Sequence, residues 1–240
     1  MTSTASFALT ALIAATIPAA AFAMPVDQIA AGDGSAFSLT AGAATVTATQ
    51  TGDTASLLGG ERSVTLVRDG GFAGNISAEK AADSDVIAVR NDTVAAGTLT
   101  LGYSAFDDLD LVSGFDRLTV NIDRLFQSTG IGDGEVTIGV TFFSGVDMDT
   151  VFAPRLEASL NPGAQGVDFL FSDYSGIDFS AIDAIDVIFD SNIIGTDFDI
   201  QSILLGAIDG PQNDVPAPAG LGLLGLGLLG VAAARRRRNA

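Results

Sequence analysis

Short segments in which apolar residues alternate with Thr, Ser or charged residues recur along most of this sequence. A period of two places successive side chains on opposite faces of a β-strand. Turn-forming dipeptides such as Gly59-Gly60 and Asp133-Gly134 separate these segments. The pattern predicts ten strands, which cover residues 36–40, 44–49, 62–68, 85–90, 98–104, 117–122, 135–143, 167–171, 184–189 and 198–205.

The alternation also predicts which side chains form the core. No helical period persists for about 12 residues between the termini, and only residues 178–185 are compatible with a single helical turn. Evenly spaced strands without helices indicate an all-β protein with an antiparallel β-sandwich or jelly-roll fold. The inward faces of the strands give a predicted core of Val64, Leu66, Ile87, Val89, Leu99, Leu101, Leu118, Val120, Val136, Ile138, Val187, Phe189, Ile203 and Leu205.

Several residue types that carry chemistry are missing. The sequence has no cysteine, no histidine and no tryptophan, which excludes thiol nucleophiles, disulfides and a Ser-His-Asp triad. Glycosidases need two carboxylates that flank a sugar in a groove, and this chain has many Asp but only four Glu and two Tyr. We therefore predict a non-enzymatic protein. The paired carboxylates considered for catalysis are Asp107/Asp108/Asp110, Asp147/Asp149, Asp183/Asp186 and Asp197/Asp199.

Both termini carry signals that set the boundaries of the folded body. Residues 1–23 have an apolar core and end in Ala21-Phe22-Ala23, an A-x-A cleavage pattern that predicts a secretory signal peptide, although no Lys or Arg precedes the apolar run. An uncleaved N-terminal anchor is the alternative. The body, residues 24–214, contains 29 acidic and seven basic residues, a formal charge of −22. Such a surface favours solubility and repels nucleic acid.

The last 26 residues, 215–240, have three parts. A short motif is followed by an uncharged, glycine- and leucine-rich stretch at 217–234 and then by four arginines. As a helix, the 18 residues 217–234 would extend ~27 Å at ~1.5 Å per residue, enough for a thin bilayer. Five glycines, each costing ~1 kcal/mol in a helix, argue against the alternative of a buried helix in a soluble protein. The cytoplasmic stop would be formed by Arg235, Arg236, Arg237 and Arg238.

This three-part tail resembles the PEP-CTERM class of sorting signals, and more narrowly its VPxPA variant. The matching residues are Val215, Pro216, Pro218 and Ala219. The resemblance implies export across the inner membrane, transient anchoring by the tail, and recognition by an exosortase-like membrane transpeptidase that cuts near the motif. It also implies a final location at the cell surface or outside the cell.

The body carries a second resemblance. The segments 58–62 (LGGER) and 197–203 (DFDIQSI) look like the entry and closing strands of jelly-roll domains in exported PEP-CTERM-type proteins. In jelly-roll binding modules, a structural calcium often joins the first long strand to the last. The resemblance therefore implies Ca²⁺ ligands at Glu61 and Asp199, with Asp209 behind them. Calcium prefers such oxygen ligands, although no EF-hand loop is present.

Two functions remain open from the sequence. The first is a structural or interaction protein of the cell surface or extracellular matrix. The second is a carbohydrate-binding module for exopolysaccharide. A sugar binder needs an exposed aromatic platform, for which Tyr103, Tyr174 and some of the 15 Phe are the candidates.

Overall fold

The body consists of two antiparallel sheets whose apolar faces meet. The computed structural model describes residues 23–29, 35–42, 44–69, 73–112, 114–127, 134–153, 156–157, 165–191 and 193–206. The strands are β1 Met24–Gln28, β2 Phe37–Ala41, β3 Val46–Thr51, β4 Glu61–Arg68, β5 Ile76–Lys80, β6 Ile87–Asn91, β7 Gly97–Tyr103, β8 Arg117–Gln127, β9 Glu135–Ser144, β10 Asp147–Phe152, β11 Leu156–Glu157, β12 Gln165–Leu170, β13 Ala184–Ser191 and β14 Thr196–Gly206. Within these ranges, the helices are two three-residue 3-10 turns, Leu58–Gly60 and Phe171–Asp173.

Each sheet has seven strands among the described residues. Sheet 1 has the order β12-β8-β14-β6-β5-β2, with β1 also paired to β14. Sheet 2 has the order β10-β9-β13-β7-β4-β3, with β11 also paired to β9. The last strand, β14, lies at the centre of sheet 1, where it pairs with β8, β6 and β1. The predicted all-β antiparallel sandwich is therefore confirmed.

The core lies between the sheets and forms one hydrophobic cluster. All fourteen predicted core residues belong to it, and the most exposed of them, Val89, retains only 3% of its accessible surface. Side chains on alternate positions of every central strand reach the opposite sheet, which is the arrangement that period-two alternation predicts.

The ten predicted strands are present, with boundaries shifted by a few residues, and four more were not predicted. These are β1, β5, β10 and β11, which are short strands or lie at sheet edges. β1, β10 and β11 have no regular alternation of burial, whereas β5 alternates but places the small Ala78 and the charged Lys80 at inward positions, which hides the apolar pattern. The helical turn predicted for 178–185 is wrong beyond its first residues. Ala181 donates a backbone hydrogen bond to Asp178, and β13 begins at Ala184.

The turn predicted at Gly59-Gly60 requires glycine. Both residues have positive φ, 69° and 73°, a region that L side chains rarely adopt. A Cβ on Gly59 would stand 2.2 Å from the carbonyl oxygen of Ala105. This close approach holds the chain that enters β4 against the loop that follows β7.

Candidate functional site

The two ends of the body lie side by side. β1 pairs with β14 so that Met24 is opposite Leu205 and Pro25 is opposite Leu204. Ala23, the predicted last residue of the signal peptide, is exposed and directly precedes β1. Ala21 lies outside the described residues. So do the whole sorting motif from Val215 to Ala219, the predicted membrane span 217–234 and the arginines 235–238. No helix in the described part of the chain combines the length and hydropathy needed to cross a bilayer.

The residues predicted to bind calcium are not brought together. Glu61 is exposed at the start of β4 in sheet 2, opposite Thr51. Asp199 lies on β14 in sheet 1, and Asp209 is outside the described residues. In the described ranges, no group of three acidic side chains is arranged to hold a metal ion. Calcium binding through Glu61, Asp199 and Asp209 stays a prediction.

Asp199 is instead the centre of an ion-pair cluster on the outer face of sheet 1. Arg124 donates to its Oδ2 from Nε at 2.8 Å and from Nη2 at 2.6 Å. Nη2 of Arg90 lies 2.6 Å from Oδ1 as an ion pair that lacks hydrogen-bond angles. The Arg90 guanidinium also stands 5.3 Å from the ring centroid of Phe126. The carboxylate of Asp199 is fully buried under these groups, and two positive charges offset it.

A second buried ion pair links β1 to sheet 2. Nη1 of Arg62 donates to Oδ2 of Asp27 at 2.5 Å, and the Tyr103 hydroxyl donates to the same oxygen at 2.9 Å. Nη2 of Arg62 also donates to Ser35. All four residues are essentially inaccessible to solvent. The sequence contains a signal for this cluster that the prediction did not use. Arg62 is separated from Val64 and Leu66 by even numbers of residues, so its side chain lies on the same inward face of β4.

Both tyrosines are unavailable as a sugar platform. Tyr103 is fully buried, and burial, followed by the charge of Asp27, raises the pKa of its hydroxyl well above the usual value. Tyr174 is 9% exposed, and its hydroxyl donates to the carbonyl of Val140 at 3.2 Å. Burial raises the pKa of Tyr174 as well. Among the described phenylalanines, Phe152 and Phe126 are the most exposed, at 57% and 37%.

Phe152 lies on the outer face of sheet 2. Strand pairing places it in one row with Gly139, Ile188, Thr100 and Thr65. The Phe152 ring covers Gly139, since its Cε1 and Cδ1 atoms would stand 2.6 and 2.8 Å from a Cβ at that position. An aromatic ring therefore rests on the sheet itself and remains more than half exposed.

The neighbouring row holds a carboxylate above a second glycine. Asp186 lies opposite Thr141 on β9 and Gly102 on β7, and Gly102 lies opposite Ser63 on β4. A Cβ on Gly102 would stand 2.5 Å from Ser63 Oγ and 2.8 Å from Asp186 Oδ1. The space above Gly102 is therefore occupied by a hydroxyl and a carboxylate oxygen. Burial raises the pKa of Asp186, and no neighbouring charge contributes.

The two outer faces differ in their basic residues. Three of the four arginines on the described strands that are not buried, Arg90, Arg117 and Arg124, lie in sheet 1, and the fourth, Arg68, ends β4 in sheet 2. The basic residues of β4 in sheet 2 have inward parity; Arg62 is buried and Arg68 donates to the carbonyl of Gly74. Among the described residues, the outer face of sheet 2 therefore presents hydroxyls, carboxylates and Phe152 without a basic side chain.

Comparison with solved structures returns β-sandwich carbohydrate-binding modules. A family 11 module from Clostridium thermocellum, in complex with a mixed-linked tetrasaccharide, is 17% identical, with 80% of this chain and 99% of that chain covered and a TM-score of 0.38. A family 30 module of a Clostridium thermocellum cellulase is 12% identical, with 78% and 99% covered and a TM-score of 0.42. At these identities and scores, the likeness assigns no ligand to this chain. A comparison with curated proteins gives no match.

The C-terminal tail matches a known family of sequence motifs. The predicted PEP-CTERM resemblance is confirmed, because residues 214–238 match the family described as the PEP-CTERM protein-sorting motif.

Proposed function

We propose that this chain is a non-enzymatic exported protein, displayed at the cell surface or in the extracellular matrix after an exosortase-like transpeptidase processes its tail. The observation that carries this proposal is the match of residues 214–238 to the sorting motif. The motif begins shortly after β14, which ends at Gly206. All the described strands precede the sorting signal, so removal of the tail would leave them intact.

The carboxylates weighed for catalysis support a non-enzymatic body, because several have structural partners. Asp199 is held by two arginines. Asp149 accepts hydrogen bonds from the backbone N–H and hydroxyl of Ser175, and Asp183 accepts one from Gly145 N–H. Asp197 accepts a hydrogen bond from Asn91 N–H at 2.7 Å. The carboxylates of these four residues are therefore hydrogen-bonded or ion-paired within the fold.

Processing of the tail tests the main proposal. Pro216 and Pro218 cannot donate backbone hydrogen bonds or join a regular helix, so they keep the motif extended and accessible to an enzyme. Replacing both with Ala should leave membrane insertion intact and cause the full-length protein to accumulate in the inner membrane. Neutral replacements of Arg235–Arg238 should instead weaken retention of the chain. Mass spectrometry of the surface-exposed protein that finds intact arginines would overturn the proposal.

A second candidate function is the binding of a neutral polysaccharide on the outer face of sheet 2. The observation that favours it is the exposed ring of Phe152 over Gly139, in the row next to the Ser63 hydroxyl and the Asp186 carboxylate that lie over Gly102. Binding sites for small ligands combine apolar surface with a few placed polar groups. A carboxylate that burial destabilises, as at Asp186, is also a frequent mark of a functional site.

Glycan binding by the processed, exported protein tests this candidate. On a glycan array and in affinity electrophoresis, Phe152→Ala should abolish retention by any neutral polysaccharide that the wild type binds. Phe126→Ala is the matched control, because that exposed phenylalanine lies on sheet 1 beside Arg90. An equal loss of glycan binding in the two variants, or no glycan binding by the wild type, would exclude this candidate and leave only the surface-protein function.

A further inference from the structure

We infer that both chain ends leave the body at one acidic pole, and that this pole faces the membrane and the processing enzyme while the tail is still attached. The inference rests on the proposed sorting function. It adds the orientation of the body, the surface that it presents, and a charge-based means of keeping the motif accessible.

The position of the ends follows from the register of β1 and β14. Met24 and Leu205 are directly opposite each other in neighbouring antiparallel strands, a separation of about 4.5–5.5 Å between Cα atoms. The chain therefore enters and leaves the body at the same end of sheet 1. A signal peptide before residue 24 and a membrane segment after residue 216 would both tether this end.

Two loops stand beside Gly206 at this pole. Asp116 N–H donates to the carbonyl of Gly206 at 3.1 Å, and Phe171 N–H donates to that of Asp116 at 2.8 Å. The loops 104–116 and 171–183 are themselves joined, since Leu109 and Ile182 exchange backbone hydrogen bonds. The two loops contain seven aspartates and no basic residue: Asp107, Asp108, Asp110, Asp116, Asp173, Asp178 and Asp183.

The connection to the motif limits how far this pole can lie from the bilayer. Eight residues, 207–214, separate Gly206 from Val215. Even fully extended they reach only about 29 Å at about 3.6 Å per residue. The opposite end of the sandwich is about 34 Å further away, the length of the 11-residue β14. The tether therefore keeps the acidic pole within about 29 Å of the motif, whereas it sets no such limit for the opposite end.

The charge of the pole opposes direct contact with the membrane. Anionic headgroups repel a surface of this sign within a Debye length of about 8 Å at physiological ionic strength. This repulsion therefore keeps a gap of about 8 Å between the pole and the headgroups. The gap leaves the Val215–Ala219 motif open to a transpeptidase, so the aspartates act as an electrostatic spacer.

Fluorescence energy transfer tests the orientation without relying on processing. The chain has no cysteine, so a single introduced thiol carries the only label. Ser172→Cys places it at the acidic pole, and Thr93→Cys places it at the opposite end, where Gly195 N–H bonds to Ala95. Both sites are exposed. With the tailed protein inserted in anionic vesicles that carry a headgroup acceptor, transfer should be strong from residue 172 and weak from residue 93.

The spacer role is tested by removing charge. One variant changes three exposed aspartates of the pole to Asn: Asp107, Asp108 and Asp110. The matched control changes Asp69, Asp92 and Asp123 to Asn. The first set should increase transfer from residue 172 in anionic vesicles and slow processing in cells several-fold, whereas the control set should do neither. Deletion of residues 208–213 should abolish processing.

The outcomes separate the two proposals. Equal transfer from residues 172 and 93, or a stronger signal from residue 93, overturns the orientation whether or not the tail is cut. An equal effect of the two charge sets overturns the spacer. A wild-type protein that keeps its arginines overturns the sorting function but leaves the transfer measurement decisive for the orientation.

Discussion

The outer faces of the two sheets use aspartate in opposite ways. On sheet 1, Asp199 is buried between Arg90 and Arg124, so its charge is offset by neighbours within the protein. On sheet 2, Asp186 lies above Gly102 without a basic neighbour, and burial raises its pKa. The comparison teaches that sheet 1 offsets the charge of its buried aspartate with two arginines, whereas sheet 2 leaves a half-buried carboxylate without a basic neighbour.

The largest effect is expected at Asp199. Asp199→Asn removes the negative charge between two arginines that are 37% and 61% exposed. Breaking a buried pair costs about 3–5 kcal/mol, and the partial exposure of the arginines reduces this to about 2 kcal/mol. Thermal unfolding should show a Tm lower by about 4–8 °C. Asp168→Asn, in an exposed pair with Arg117 at 3.7 Å, should change Tm little, and an equal fall would contradict the comparison.

The next effect is expected at Arg90. Arg90→Ala loses one of the two ion pairs to Asp199 and should destabilise the protein by about 1 kcal/mol, as measured by urea unfolding. It also removes the guanidinium from the ring of Phe126. We expect no new glycan binding, because Arg124 still binds the carboxylate of Asp199 beside this ring. A gain of binding would show that aromatic exposure alone distinguishes the two sheets.

A smaller change in stability is expected at Gly102. Gly102→Ala adds a methyl group where the ends of the Ser63 and Asp186 side chains lie, so these two side chains must rotate away from it. We expect a loss of stability below about 1 kcal/mol together with several-fold weaker retention in affinity electrophoresis. Gly114→Ala is the control, since no atom lies within 4 Å of its added Cβ. Unchanged retention of both variants would exclude the Ser63 hydroxyl and the Asp186 carboxylate from the proposed binding site.

The smallest effect is expected at Asp186 and has the opposite sign from that at Asp199. Because burial raises the pKa of Asp186 in the folded state, ionisation destabilises the fold at neutral pH. That penalty shrinks as the pH falls through the raised pKa and is gone below the unfolded value of about 3.9. Asp186→Asn should therefore raise Tm slightly at pH 7 and leave it unchanged near pH 3. A fall in Tm at pH 7 would mean that the carboxylate has a stabilising partner.

The sequence predicted the features that depend on local pattern. Alternation identified the core positions, such as Val64 and Leu101. The succession of proline motif, apolar stretch and four arginines in the sequence was sufficient to identify the sorting motif. The candidate site depends on register between strands that are distant in sequence. Phe152 covers Gly139 only because β10 folds back on β9, and Asp199 meets Arg90 and Arg124 from two different strands. A pattern within one strand carries no information on such partners.

The pairing of β1 with β14 also sets the order in which the chain can fold. Met24 pairs with Leu205, which lies 181 residues later in the chain. At synthesis rates of about 5–20 residues per second, Leu205 is made about 10–40 s after Met24. Until then, β1, β6 and β8 lack the strand that joins them, and unpaired edges of this kind favour aggregation. For this protein, the delay between synthesis of the first strand and of the last is the period in which a chaperone that holds unfolded chains would matter most.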